Sequence, residues 1–298
     1  MSITLRRYAG PEDYWRIDRF LIEHHQPGNA DGNWLEPIWE YTHGHPFLDA
    51  ASLGRIGIWE DEGQIVAVAT YESRPGEAFF QFHPAYRHLR REMLDYAEEN
   101  LTGETGDGQK YLHAFVNDDD EAFRALVRER GYERNPGADR PLARFLVPDL
   151  FPPIPLPAGF RLTSLAEECD WANVHRVMWR GFNHAGEPPG GEEELESRRK
   201  MFDTPTARRD LKIAVAAPDG AFVAFCGMFY EPQARFALVE PVATDPDYRR
   251  LGLGRAAVLE GIRRCAALGA TVAYVGSDQP FYLSFGFEVV YTDECWMK

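Results

Sequence analysis

The chain of 298 residues has no long apolar run, and only four of its residues are cysteines. A membrane-spanning helix needs about 20 consecutive apolar residues, so the sequence predicts no membrane partner. The cysteines, at positions 169, 226, 265 and 295, show no C-x-x-C spacing, which argues against a zinc site and against a disulfide framework. We therefore expect no bound metal. Because the first residues contain no apolar signal region, we also expect a cytoplasmic protein.

Positive charge is scarce as well, and the formal net charge is −15. Binding to nucleic acid requires clustered lysine and arginine, so a nucleic-acid partner is not expected. A solvated acidic surface is the simpler interpretation of this charge. The alternative is that the acidity attracts a cationic acceptor such as an amine.

The length favours two domains, and five prolines in residues 147–157 (VPDLFPPIPLP) indicate a linker between them. The same order of strands and helices is predicted on both sides of this linker. HPAYR at 83–87 aligns with DPDYR at 245–249, and GYE aligns with GFE in a register that differs by seven residues. We interpret this pattern as a diverged duplication with a first domain at 1–146 and a second at 158–298.

Residues 242–262 (VATDPDYRRLGLGRAAVLEGI) place two glycines between a predicted strand and a predicted helix. The free N–H groups of a first helical turn attract anions, and glycine lets backbone approach a phosphate closely. Arg249 and Arg250 add cationic partners. The alternative is a tight turn with solvated arginines. No GK[ST] follows, which excludes a P-loop, and the third glycine of a dinucleotide-binding fingerprint is missing.

This stretch resembles motif A of the GCN5-related N-acetyltransferases (GNAT), whose signature [Q/R]-x-x-G-x-[G/A] reads here Arg249-x-x-Gly252-x-Gly254. The resemblance covers residues 157–298. It implies two tandem α/β (α+β) domains, each a mixed, mostly antiparallel β-sheet flanked by helices. It also implies acetyl-coenzyme A, bound in a splay between the fourth and fifth strands, with its pyrophosphate on the signature amides and its pantetheine arm along the preceding strand end. The implied cofactor-binding residues are Val242, Ala243, Thr244, Arg249, Arg250, Leu251, Gly252, Leu253, Gly254 and Arg255.

A second motif, PFYLSFGFEVVY at 280–291, matches the family pattern Y-x-x-x-G-F from Tyr282 to Phe287. A phenol with an ordinary pKa of about 10 is protonated at neutral pH and can give a proton to a departing thiolate. The resemblance implies this catalytic role for Tyr282. The alternative is a tyrosine that only packs beside Phe281 and Phe285.

Glu240 lies where some family members carry a glutamate that deprotonates the amine, directly or through water. Pro241 interrupts the hydrogen bonding of the strand, and the resemblance implies a bulge at this point. Two alternatives remain: Glu240 binds only the positive charge of the substrate, or it serves the bulge alone.

Residues 177–190 (VMWRGFNHAGEPPG), called here the acceptor segment, match the part of the family that faces the acceptor. Trp179, Phe182, His184 and Glu187 are predicted to line the substrate pocket. A surface loop with stacked aromatic residues is the alternative. His184 is a weaker candidate base than Glu240, because nothing in its spacing supplies a partner.

The first half keeps the fold pattern but loses the motif. From Arg87 it reads RHLRREML, without glycine, and Val127 stands opposite Tyr282. We expect this half to bind no cofactor and to act as a scaffold, a pocket wall or a dimer surface.

The sequence thus predicts an acetyl-coenzyme-A-dependent N-acetyltransferase that acts on a primary amine of a small molecule or peptide, with a homodimer left open. Two alternatives remain: a non-catalytic acyl-coenzyme-A-binding or sensor protein, and an acyltransferase that uses a longer acyl group.

Overall fold

The chain forms two compact units, and the computed structural model describes residues 3–298. The first unit contains the chain up to Leu142 together with Val289–Lys298, and the second contains Ala143–Glu288. In residues 3–298 no helix combines the length and the apolar character that crossing a membrane requires.

The elements of the first half are short. They are β1 (Thr4–Arg7), α1 (Pro11–Glu23), α2 (Glu36–Gly44), β2 (Gly57–Asp61), β3 (Gln64–Thr70), β4 (Glu77–Phe82), α3 (Arg90–Asn100), β5 (Gly103–Glu104), β6 (Lys110–Tyr111), β7 (His113–Asn117), α4 (Glu121–Glu129), β8 (Glu133–Arg134) and β9 (Arg140–Leu146).

The second half repeats this order with longer central strands. Its elements are β10 (Arg161–Ser164), α5 (Trp171–Gly181), α6 (Glu192–Lys200), β11 (Lys212–Ala216), β12 (Phe222–Glu231), β13 (Phe236–Thr244), α7 (Leu253–Leu268), β14 (Val272–Val275), α8 (Pro280–Leu283) and β15 (Glu288–Met297).

Each unit is built on one mixed sheet. In the first unit the strand order is β1-β2-β3-β4-β7-β15, and in the second it is β10-β11-β12-β13-β14-β9. Within each described sheet the pairs are antiparallel except for one: β4 with β7 in the first unit and β13 with β14 in the second. The predicted fold class, a mixed and mostly antiparallel sheet flanked by helices in two copies, is confirmed.

The last strand of each sheet comes from the other half of the sequence. β9 closes the first half but pairs with β14, from Val272↔Leu146 to Val275↔Ala143. β15 closes the second half but pairs with β7, for example at Cys295↔Phe115. The compact units therefore differ from the predicted limits of 1–146 and 158–298 at their final strands. Chain order alone cannot show this, because either sheet offers the same edge to a terminal strand.

Helix α7 anchors the second unit. It follows Gly252 and ends at Leu268, where Gly269 caps it with φ 114°, a left-handed conformation typical of a helix C-terminus. Its buried face includes Val258, Ile262 and Cys265, and each buried aliphatic side chain contributes about 1.5–3 kcal/mol.

Candidate active site

The strands β13 and β14 separate next to the predicted cofactor residues. They pair in parallel from Phe236↔Val272 to Leu238↔Tyr274, and β13 then continues to Thr244. On its other side, β13 remains paired with β12 as far as Thr244↔Ala224. The segment Val242–Thr244 therefore presents one edge to a strand partner and the opposite edge to the splay.

A bulge lies in β13 where the splay begins. Cys226 pairs with Val242 and Met228 pairs with Val239, so Gly227 stands opposite both Glu240 and Pro241. A Cβ on Gly227 would collide with the carbonyl oxygen of Glu240. The bulge implied by the family resemblance is present, and it requires glycine in the neighbouring strand. Gly227 was not among the predicted site residues, although a lone glycine inside a strand pattern is a signal for a bulge.

The turn after β13 leads into α7 with backbone amides that, within residues 3–298, have no protein acceptor. Arg250 and Gly252 adopt positive φ values of 66° and 79°. The first amide of α7 that bonds to a backbone carbonyl is that of Ala256, to Gly252. Among the described residues, the N–H groups of 250–255 donate to no protein acceptor. A row of free amides at a helix N-terminus is a site for an anion such as a phosphate.

The two signature glycines serve different needs. Gly252 has open space around its Cα, and its positive φ is what favours glycine. At Gly254 a Cβ would lie 2.6 Å from Oγ1 of Thr244. Gly252 therefore sets the conformation of the turn, whereas Gly254 lets α7 approach the end of β13.

The arginines of the signature also differ. Nη2 of Arg249 donates to the carbonyl oxygen of Gly181 at 2.9 Å and to Oδ1 of Asn183 at 2.8 Å. Arg250 is exposed, and the guanidinium of Arg255 lies over the ring of Phe285 at 5.6 Å. Arg249 is thus held by the end of α5. A phosphate role for these three arginines stays a prediction.

Tyr282 lies on the short helix α8 with only 8% of its surface exposed. Its ring contacts Phe281, Phe285 and Phe287, with centroids at 4.8, 6.3 and 5.6 Å. Burial, followed by the proximity of Cys226 and Glu240, raises the pKa of the Tyr282 phenol. The phenol is therefore protonated at neutral pH. Tyr282 packs beside Phe281 and Phe285, as the alternative to a catalytic role predicted. Its protonated hydroxyl is also able to donate a proton.

Glu240 is half-buried on the bulge. Since its charge contributes to the raised pKa of Tyr282, the structure brings the predicted base and the predicted acid into one neighbourhood. Cys226, on the adjacent strand, shares that neighbourhood. Burial is the main reason that the pKa of the Cys226 thiol lies well above its ordinary value, and this thiol therefore stays neutral.

Only two of the four predicted substrate-binding residues in the acceptor segment contact each other. The indole N–H of Trp179 donates to the carbonyl of Gly186 at 3.1 Å, and the ring of His184 stacks on Trp179 at 4.4 Å. Phe182 is 49% exposed, and Glu187 is also exposed. In the part of the chain that the structure describes, no ring contact or hydrogen bond links Phe182 or Glu187 to the Trp179–His184 pair. Whether these residues contact a substrate stays a prediction.

Two further residues of this region have no counterpart in the predicted site. Gly181 ends α5 so close to β13 that a Cβ would lie 2.7 Å from Cβ of Ala243. Asp245 has a fully buried side chain that pairs with Arg180 at 2.6 Å. The residue types gave no signal for either one, because both depend on contacts distant in sequence.

The comparisons with known proteins agree with this geometry. Residues 171–287 match the model of the acetyltransferase (GNAT) family, and no curated protein matches the chain. A GCN5-related N-acetyltransferase from Sphaerobacter thermophilus is 19% identical, with a TM-score of 0.67 over 99% of this chain and 95% of its own. A tandem GNAT protein from the clavulanic acid biosynthesis pathway is 13% identical, with a TM-score of 0.62 over 100% of this chain and 98% of its own.

An acetyltransferase of the GNAT family from Colwellia psychrerythraea is 11% identical, with a TM-score of 0.59 over 99% of both chains. Residues 171–287 thus match the acetyltransferase (GNAT) family model, and the chain as a whole has the fold of a tandem GNAT protein.

Proposed function

We propose that the protein is an acetyl-coenzyme-A-dependent N-acetyltransferase whose active site lies in the second unit. The observation that carries this proposal is the row of free amides at residues 250–255, in the turn and first residues of α7 that follow the end of β13 beside the splay. Members of the GNAT family use acetyl-coenzyme A. The amides suit its pyrophosphate, because a helix N-terminus stabilises negative charge. The edge of β13 at Val242–Thr244 suits the amides of its pantetheine arm.

The reaction follows from the groups at the bulge. The nitrogen of a neutral amine attacks the thioester carbon, a C–N bond forms and the C–S bond breaks. Glu240 takes the proton that the amine loses, directly or through water, and the hydroxyl of Tyr282 gives a proton to the departing sulfur. General acid–base catalysis of this kind contributes about 10²–10⁴-fold, and holding the two reactants together contributes further.

The acceptor is proposed to be a primary amine of a small molecule or peptide. An amine that enters as an ammonium ion must be deprotonated before it attacks, which is why a carboxylate at Glu240 matters. Trp179 and His184 form an aromatic surface at the end of α5, and we propose that this surface, with Phe182 and Glu187, contacts the acceptor. The presence of Tyr282 in the neighbourhood of Glu240 favours an enzyme over a protein that only binds acyl-coenzyme A, since binding alone needs no proton donor.

Thiol release tests the proposal directly. Purified protein is mixed with acetyl-coenzyme A and a panel of amino sugars, polyamines, amino acids and peptides, and free thiol is measured. We expect at least one amine to raise thiol release above the rate without acceptor. A calorimetric titration with coenzyme A is run alongside it. Binding without thiol release for any amine would favour a protein that only binds acyl-coenzyme A. A preference for longer acyl esters would favour an acyltransferase that uses a longer acyl group.

A further inference from the structure

The end of α5 and the turn after β13 hold each other through arginines from both sides. From α5, Arg180 donates to the carboxylate of Asp245 through Nε at 2.6 Å and through Nη2 at 3.0 Å. From the turn, Arg249 donates to the carbonyl of Gly181 and to Oδ1 of Asn183. We call these residues, Arg180, Asp245, Arg249, Gly181 and Asn183, the reciprocal clamp.

The inner half of this clamp is a buried ion pair. The side chain of Asp245 is fully buried. Burial by itself raises the pKa of Asp245, but the hydrogen bonds from Arg180 and from the backbone of Asp247 outweigh it, so the pKa lies below its ordinary value. The carboxylate is therefore ionised and depends on Arg180 and on Arg176, whose Nη1 lies 3.7 Å from Oδ2, since a buried charge without a partner is strongly unfavourable. The contact of Arg180 with Asp247 is at the solvent edge, because the side chain of Asp247 is 75% exposed.

The outer half of the clamp fixes the start of the acceptor segment's loop. Asn183 adopts a positive φ of 61°, a conformation that asparagine tolerates better than most residues. Its side chain is then in position to accept from Arg249. Gly181 lies against Ala243 and the backbone nitrogen of Thr244 with no room for a Cβ. The loop that leaves α5 is therefore fitted to the strand end and to the turn that carries the free amides.

The first unit supports this reading of the signature arginine. Arg87, which stands opposite Arg249 in the aligned sequences, donates through Nη2 to the carbonyl of Asp31 at 2.6 Å. Asp31 lies in the loop after α1, just as Asn183 lies in the loop after α5. In both units this arginine holds the loop that follows the first helix.

The first unit cannot form the inner half of the clamp, the buried ion pair, because its sequence lacks the carboxylate. His83 and Ala85 stand opposite Asp245 and Asp247. In place of the ion pair, the ring of His83 contacts the ring of His24, just after α1, with centroids 4.5 Å apart. The unit without the glycine signature thus also lacks the carboxylate of the clamp.

We infer that the reciprocal clamp couples the two halves of the proposed active site, with Arg180 and Arg249 as positioning residues. An anion on the amides of 250–255 fixes the turn that carries Arg249, and Arg249 in turn fixes the loop at Gly181 and Asn183. Binding of the cofactor therefore orders residues 182–190 before the acceptor arrives. Such coupling requires only that the ligand favour one arrangement of the turn over others. The inference rests on the proposed function, because it needs the cofactor to bind at 250–255.

Hydrogen–deuterium exchange on the full chain, with and without coenzyme A as the probe, tests the coupling. In the wild-type protein we expect coenzyme A to slow exchange both at 249–255 and at 182–190. Asn183→Gly keeps the freedom to adopt a positive φ but removes the acceptor for Arg249. It should retain slowed exchange at 249–255, lose it at 182–190, and bind coenzyme A about threefold to tenfold more weakly, the loss expected for one hydrogen bond. Asn183→Asp keeps the acceptor and should behave like the wild type.

The matched control is Asp247→Asn, which alters only the exposed contact of Arg180 and should leave both protected segments unchanged. Protection confined to 249–255 in the wild type overturns the coupling, and so does equal protection of 182–190 in wild type and Asn183→Gly. A wild-type protein that gives no calorimetric heat with coenzyme A and no protection at 249–255 overturns the proposed function itself, and the coupling with it.

Discussion

The two units contain the same parallel strand pair but differ in the space beyond it. In the second unit β13 and β14 separate after Leu238 and leave a splay. In the first unit β4 and β7 pair at Glu77↔His113 and Ala78↔Ala114, and aromatic rings then fill the gap. Phe79 stacks on Phe115 with centroids 4.3 Å apart and planes 1° apart. The space that remains is about 30 Å³, room for about one water molecule.

The strand edge beside this closed cleft is also occupied by the protein itself. The side-chain amide of Asn33 accepts from the backbone N–H of Phe82 at 2.7 Å and donates to its carbonyl at 2.9 Å. The side chain of Gln81 accepts from the backbone of Trp34 at 2.6 Å. The loop before α2 thus takes the edge of β4, whereas the corresponding edge of β13 faces the splay.

The proposed anion site of the second unit is likewise occupied by protein groups in the first unit. Where the second unit offers free amides, the first unit has Arg87 and Arg90 bonded to the buried carboxylate of Asp120, at 3.3 and 2.7 Å. An internal carboxylate stands in the first unit where a phosphate is proposed in the second. A fold can therefore lose a ligand site while keeping its stability, because its own side chains satisfy the groups that the ligand would meet.

The largest effect is expected at the residue that the first unit replaces with valine. Tyr282→Phe removes the proton donor but keeps the buried ring, so turnover should fall about 10²–10⁴-fold while affinity for coenzyme A stays nearly constant. Thiol release with an amine that the wild type accepts, together with calorimetry, measures both quantities. Tyr230→Phe is the control, since the hydroxyl of Tyr230 bonds to the carbonyl of Leu268 away from the bulge. Unchanged turnover in Tyr282→Phe would refute the assignment.

The next effect is expected at Gly254. Gly254→Val places side-chain atoms against Oγ1 of Thr244, and overpacking of this kind costs about 1–3 kcal/mol. Affinity for coenzyme A should fall about tenfold or more. Gly106→Val is the control, because Gly106 has open space around it and no positive φ.

The same titrations test whether the first cleft is closed. The wild-type chain should bind one coenzyme A per molecule, and Gly254→Val should show no second, unaffected site. A stoichiometry of two, or a residual site of unchanged affinity in the variant, would contradict the comparison between the units.

A stability effect is expected at Asn33. Asn33→Ala leaves the buried N–H and carbonyl of Phe82 without partners, at a cost of about 2–4 kcal/mol. Chemical denaturation of the full chain, followed by tryptophan fluorescence, measures the loss. Asn100→Ala, which removes an exposed bond from Arg7 and a partly buried bond to the carbonyl of Tyr96, should cost about 1 kcal/mol or less. Equal losses in both variants would mean that Asn33 does not hold the cleft closed.

The smallest effect concerns a carboxyl group that lines the remaining space in the first cleft. Burial, followed by a partly offsetting hydrogen bond from Asn117, raises the pKa of Asp293 to about 7. The folded chain therefore binds a proton that the unfolded chain has already released, so this group destabilises the fold as the pH rises from about 4 to about 7. Asp293→Asn should melt at an increasingly higher temperature than the wild type as the pH goes from 5 to 8. A difference in melting temperature that stays constant over this range would show that Asp293 does not titrate there.

The local features of the second unit could be predicted from short stretches of its sequence. Glycine, arginine and a helical pattern between 249 and 268 predicted an anion site at a helix N-terminus. Proline beside Glu240 fitted the implied bulge. These predictions depend on conformations that neighbouring residues dictate, and such conformations are readable from a short stretch of sequence.

Other features required contacts between distant residues. Gly227 opposite the bulge, Gly181 against Ala243, and the hold of Arg249 on Asn183 link segments that lie far apart in the chain. The exchange of β9 and β15 between the sheets is of the same kind. Residue types alone do not say which partner each of these groups meets.

The sequence by itself determined which half could carry the chemistry, because only one copy contains the glycine signature and the tyrosine. Only the tertiary structure determined that the cleft of the first unit is closed, because Asn33, Phe79 and Asp120 reach it from separate segments. The physical reason is that a motif records local backbone freedom. Whether a cleft is open depends on which side chains, from anywhere in the chain, satisfy its polar groups and fill its volume.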